Sequence, residues 1–190
     1  MEKFRNKYRI KSARASWWNY ANNGYYFITI CTAGREHLFG EIKNKKMLLS
    51  EIGKIVQEEW DKSFEIRAEL FCDAFIIMPN HIHAIVHIEN NDTNVDTHGR
   101  ASIRSEQTQS VNHGVAYRAP KSVSSFVGGF KSAATTRINK FRNTPGRPVW
   151  QSRFHDHIIR NDGEFHRIKN YIETNPEHWK DDKFFNRNDQ

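Results

Sequence analysis

The chain has 190 residues, 37% hydrophobic and 13% aromatic, which is enough to bury a core and too apolar for global disorder. Its two cysteines, Cys31 and Cys72, exclude a disulfide framework and a four-cysteine zinc site, and no apolar run reaches the ~20 residues of a membrane helix. The net charge of +7 is concentrated: residues 99–153 carry ten Lys/Arg against one acid, Glu106, and residues 1–20 carry six against Glu2. Two basic stretches on a near-neutral remainder are the footprint expected for a polyanion partner, although a solvated basic face has the same composition. The basic start lacks an apolar leader, so a cytoplasmic location is the expectation by elimination. One domain is expected over 1–190, with a basic arm over 1–20 and a long polar loop over 90–120.

In chain order, Tyr25 to Thr32 is rich in β-branched and aromatic residues between Gly24 and Gly34 and predicts a buried strand. Ser50 is placed to cap a helix to about Trp60, with Ile52, Ile55, Val56 and Trp60 on one face. Leu70 to Met78 and His83 to Ile88 predict two strands, and Pro79-Asn80-His81 between them suits a tight antiparallel hairpin. Residues 90–120 are poor in apolar side chains, and a loop of that length is usually functional or disordered. Ser122 or Ser124 starts the next helix, with Phe126, Phe130, Ala134, Ile138 and Phe141 as its stripe and Gly128-Gly129 as an interruption. Val149 to Ile159 reads as a fourth strand. Asp162 then caps a last helix carrying Phe165, Ile168 and Ile172, limited by Pro176. The order strand, helix, strand, strand, helix, strand, helix predicts an α+β fold: a ferredoxin-like split βαβ antiparallel sheet with an added C-terminal helix.

His81-Ile82-His83 is the sharpest chemical feature. Residues two apart on a strand point the same way, so both imidazoles can chelate one cation while Ile82 packs into the other face. Two histidines alone suit Mn, Zn, Ni or Co, and Mg only with oxygen ligands and substrate phosphate to help. Tyr171 lies roughly 90° around the last helix from its apolar stripe, so its hydroxyl is expected at the edge of the packed face. Asn175, four residues on, projects to nearly the same side if the helix persists. A boundary tyrosine with a wet tip is the plain alternative. Lys131, Arg137, Lys140 and Arg142, with Arg147 and Arg153 beyond, supply charge for phosphates without reading sequence. His155 and His157 share a strand face and raise the idea of a second metal site, while Trp17 and Trp18 could stack on bases.

MPNHIHAIVHI, SFVGGFKSAATTRIN, VWQSRFHDHIIRN and YIETNP, in that order, resemble the REP-associated tyrosine transposases and their single-strand relatives in the HUH superfamily, named for His-hydrophobic-His. Trp18-Asn19-Tyr20 and the run from Gly24 to Thr29 look like that family's opening, and the resemblance covers roughly Tyr8 to Trp179. It implies that His81 and His83, with Asn175 as third ligand, bind one divalent metal, Mg²⁺ or Mn²⁺. It implies Tyr171 as the nucleophile that cuts single-stranded or hairpin DNA, forming a 5′-phosphotyrosine and enabling strand transfer. Tyr25, Tyr26 and Tyr117 fall outside the motif position. A homodimer is compatible with the resemblance, as is a monomer. The rival readings are a non-catalytic or domesticated DNA- or RNA-hairpin-binding module on the same fold and a replication initiator or relaxase sharing the chemistry. The HxE and PCxxC elements of a zinc deaminase are absent.

Overall fold

The computed structural model describes residues 18–90 and 119–185, and the backbone of the two-residue strands β1 (Lys3–Phe4) and β2 (Lys7–Tyr8), which pair antiparallel. Most of the basic arm and of the polar loop, with Trp17 and Tyr117, lies outside the described residues.

The expected split βαβ sheet is present. Its strands are β3 (Gly24–Cys31), β6 (Leu70–Met78), β7 (His81–Ile88) and β8 (His155–Ile159), in the order β6-β7-β3-β8, every neighbouring pair antiparallel. α1 (Glu51–Ile66) links β3 to β6, α2 (Val123–Arg142) precedes β8, and α3 (Asp162–Thr174) follows it. The β6–β7 hairpin is tighter than the sequence suggests: Met78 pairs with His81, leaving Pro79-Asn80 as the whole turn. His81 therefore belongs to the strand and shares its alternation with His83.

That alternation divides the core. Tyr26, Ile28, Ile30, Ile82, Ala84 and Val86 face α1 and α2, where Trp60 stacks on Phe75 at 4.3 Å and meets Phe126 and Phe130 edge-on. The opposite face carries Phe27, Ile85 and Ile159 against Phe165, Ile168 and Ile172 of α3. Because β3 and β7 are central and covered on both sides, they read as near-continuous apolar runs.

Local chemistry explains the boundaries. Ser50 Oγ accepts from the Gly53 amide at 3.1 Å and starts α1, which runs past Trp60 to Ile66. Gly53 has to be glycine, since a Cβ there would sit 2.2 Å from the Phe39 carbonyl oxygen. Ser122 and Ser125 form a reciprocal capping box on α2.

Four local expectations are corrected, and one hairpin is new. Gly128-Gly129 do not interrupt α2, because glycine weakens a helix without removing its hydrogen bonds. Phe141 is 57% exposed and leaves the apolar stripe. Asn161, not Asp162, caps α3, its Oδ1 accepting from the Glu164 amide. The fourth strand starts at His155; Val149 and Trp150 are buried, but only a single bridge joins Trp150 to Thr32. A hairpin of β4 (Gly40–Lys43) and β5 (Lys46–Leu49) precedes α1, turning through Asn44 and Lys45 with both φ positive. That turn lacks the usual glycine, so its sequence signal is weak.

Candidate metal and phenol site

The site is on the α3 face of the sheet, at the hairpin end. His81 and His83 project from β7 one pleat apart, ring centroids 4.5 Å apart, at 0% and 1% exposure. Ile82 between them is fully buried in the opposite core, as the alternation predicts.

Each ring is oriented through Nδ1. Asn80 Nδ2 donates to the Arg35 and Phe184 carbonyls, so Asn80 Oδ1, 2.8 Å from His81 Nδ1, is the acceptor in that pair. His81 Nδ1 thus carries the hydrogen and Nε2 presents a lone pair. His83 Nδ1 is 2.9 Å from the buried Thr29 hydroxyl on β3. Such outer partners are what hold metal-binding imidazoles in position. Burial lowers both pKa values, His81 to about 3 with Lys183 and Arg35 adding repulsion, and His83 well below its ordinary range with the neighbouring His81 adding. Neutral imidazole is the form that binds metal.

α3 brings Tyr171 to this pair. Its hydroxyl lies 3.2 Å from His83 Nε2 and 3.3 Å from Asp182 Oδ2, and the residue is 38% exposed, at the edge of the packed face as the helical geometry predicts. Burial and the Asp182 carboxylate push the phenol up to about 12. Asn175 is buried where α3 passes into the 3₁₀ segment Asn175–Asp181; its Nδ2 donates to Asp182 Oδ2 at 3.0 Å.

Asp182 was not legible in the sequence. It lies in a turn after Pro176, beyond any helical spacing that would tie it to Tyr171. The chain hooks back there: Phe184 packs 4.5 Å from the His81 ring and its carbonyl receives Asn80 Nδ2. Potential ligand atoms of His81, His83 and Asp182 all lie within 4.8 Å of one another. Two buried polar atoms here, His81 Nε2 and Asn175 Oδ1, have no hydrogen-bond partner. Two neutral imidazoles, a carboxylate and an amide oxygen fit a small divalent cation.

The other sequence candidates are elsewhere. α2 covers the opposite face, and Arg137 is spent between Glu58 and Glu59. Lys131 donates to the Gln151 carbonyl, Arg147 is 3.7 Å from Glu36, and Lys140 and Arg153 are exposed. Burial and Arg147 lower the Arg142 pKa. The cations beside the His pair are instead Arg35 and Lys183, which sequence reading passed over. His157 pairs with Glu164 at 2.7 Å; among the described residues the His81, His83 and Asp182 group alone has the spacing of a metal cluster. Trp18 Nε1 donates to the Tyr26 hydroxyl, so its ring is tied to the sheet.

Fold and site together define a ferredoxin-like α+β protein with a paired-histidine, tyrosine and aspartate pocket beneath its last helix. The chain belongs to the same family as an uncharacterised protein of Haemophilus influenzae, with which it is 33% identical over 175 residues, 92% of each chain. No protein-family model matches it. Among solved structures, a REP-associated tyrosine transposase bound to a REP hairpin shares the fold, with a TM-score of 0.57 and 18% identity over 87% of this chain and 74% of that one.

Proposed function

We propose that the protein is a divalent-metal-dependent endonuclease and strand transferase acting on single-stranded or hairpin DNA, with Tyr171 as nucleophile. The observation that carries this reading is the Tyr171 hydroxyl 3.2 Å from His83 Nε2, beside a histidine pair whose potential ligand atoms lie within 4.8 Å of one another and of Asp182. His81, His83 and Asp182 would hold the cation, Mg²⁺ or Mn²⁺, with Asn175 steering Asp182 and offering Oδ1 as a further donor. A bound cation polarises the non-bridging phosphate oxygens and offsets their charge.

The chain's own groups do the rest. Tyr171 attacks phosphorus, its proton passing to Asp182 Oδ2, which the hydroxyl already faces. The bond to the 3′ oxygen breaks, and that oxygen leaves with the electron pair and takes up, through water, the proton that Asp182 received, which restores the carboxylate. The products are a 5′-phosphotyrosine and a free 3′-OH. The linkage conserves the ester, so a 3′-OH can attack it and restore the phenol, which is strand transfer. Arg35 and Lys183 favour an approaching phosphate, while Lys131, Lys140, Arg142, Arg147 and Arg153 supply a more distant positive field, Arg137 being neutralised by Glu58 and Glu59. The phenol and rings belong to one chain, so a homodimer is not needed to complete the site.

The test is a single-stranded hairpin oligonucleotide incubated with Mn²⁺ and read for a protein–DNA adduct that survives denaturation. The wild type forms it; Tyr171→Phe does not, while binding the same DNA with unchanged affinity. His81→Ala and His83→Ala lose cutting more than binding. Cleavage persisting in Tyr171→Phe removes the assignment, and DNA binding without adduct in the wild type favours the non-catalytic hairpin binder.

A further inference from the structure

A second feature lies on the same sheet face, at the N-terminal end of α3. Tyr25 and Phe71 are 41% and 42% exposed, unusual for large rings on a sheet otherwise covered. They belong to an ordered series: Phe71 stacks on His87 at 4.8 Å and 13°, His87 lies 4.8 Å from Tyr25, and Tyr25 meets Phe165 edge-on at 5.4 Å. Asp73, on the bulged part of β6, bonds His87 Nδ1 and fixes that ring between its neighbours. Beside Tyr25 and Phe165 opens a pocket of about 410 Å³, whose polar wall is Arg160, Asn161, Asp162 and His166.

The pocket lies on the same sheet face as the metal and phenol site, on the far side of the Phe27, Ile85 and Ile172 core. Tyr25, Phe27 and Thr29 share one face of β3, opposite His87, Ile85 and His83 of β7. Phe27 bridges the two regions, its ring 5.3 Å from His83 and 6.3 Å from Tyr171. His87 is four residues along the strand from His83, roughly 13 Å. Charge selects what fits. Four acids, Asp73, Glu89, Asp162 and Glu164, lie around this end against two cations, Arg160 and Arg167, and the net negative balance disfavours a phosphate. A flat uncharged ring with a hydrogen-bonding edge matches both the aromatic faces and the polar wall.

We propose that this pocket, framed by Tyr25 and Phe165 and rimmed by Phe71 and His87, seats one unpaired base of the DNA strand whose phosphate enters the His81, His83 and Tyr171 site. The identity of the strand rests on the nuclease reading; the base seat rests on the ring geometry.

The experiment uses the full chain and a fluorescein-labelled 12-nucleotide DNA of mixed sequence, read by anisotropy, with the matched duplex and the RNA of the same sequence alongside. Tyr25→Ala lowers single-strand affinity about tenfold and Tyr25→Phe keeps it, with duplex affinity unchanged in both. Phe71→Ala produces a smaller loss. Placing one abasic nucleotide at successive positions finds a single position that weakens the wild type and adds nothing to Tyr25→Ala. Folding is checked by thermal unfolding, which Tyr25→Phe controls in parallel. Equal single-strand affinity in a folded Tyr25→Ala protein overturns the seat, as does equal loss at every abasic position. Tighter Tyr25-dependent binding of RNA overturns the assignment to DNA. A Tyr25 effect without a Tyr171 adduct leaves the seat standing and removes only the nuclease reading.

Discussion

Asp182 and Asn175 compete for the role of third ligand, and their surroundings separate them. Asp182 brings a full negative charge to the two rings, which for a hard divalent cation outweighs a neutral amide. Asn175 donates through Nδ2 to that carboxylate, so its loss frees Asp182 to turn without removing the charge. Asp182→Ala is therefore expected to weaken Mn²⁺ binding about 100-fold, and Asn175→Ala about tenfold, the range seen for partners that orient a ligand. Calorimetric titration of the purified protein with Mn²⁺ checks the order. A larger loss in Asn175→Ala makes the amide oxygen the ligand and the carboxylate its support.

At the scale of elements, the C-terminal hook and the α1–α2 layer do different work. Trp60 is 1% exposed and touches Phe64, Phe75, Phe126 and Phe130, so Trp60→Ala leaves a large void and costs about 3–5 kcal/mol of stability. Phe184 covers the histidine rings but belongs to a small cluster with Cys31, Met78 and Trp179. Phe184→Ala is expected to cost less, and to speed carbethoxylation of His81 and His83, which are otherwise sealed at 0% and 1% exposure. Chemical denaturation and mass-spectrometric mapping of the labelled histidines measure the two effects. Unchanged labelling would mean that the hook is not what closes the site.

For the whole molecule, the buried histidine pair links stability to pH. His81 drops from an ordinary 6.5 to about 3, and His83 moves the same way, so between those values the unfolded chain binds protons that the folded chain does not. Stability from the neutral pair is complete above pH 6.5 and is lost as pH falls toward 3. The thermal midpoint is therefore expected to fall between pH 7.5 and pH 5, and Mn²⁺ to raise it by a similar amount at both values because the folded rings are still neutral at pH 5. Scanning calorimetry at both pH values tests this. A midpoint that rises on acidification contradicts the buried neutral pair.

What the sequence determined by itself was whatever depends on period and local chemistry. Alternation along β7 put His81 and His83 on one face and Ile82 on the other, helical spacing put Tyr171 at the rim of α3, and the order of apolar runs specified the split βαβ sheet. Boundary details were harder, since a glycine pair, a capping position or a hairpin turned by Asn44 and Lys45 is decided by small energies that neighbouring packing overrides. Only the tertiary structure decided what completes the pocket. Asp182 and Lys183 come from one turn and Arg35 from the end of a 3₁₀ turn, neither of which any periodicity connects to β7, and Asn80 joins them through hydrogen bonds to carbonyls far away in the chain. A repeat along the backbone reports which face a side chain takes; which distant segment meets that face depends on how the whole chain closes over its core.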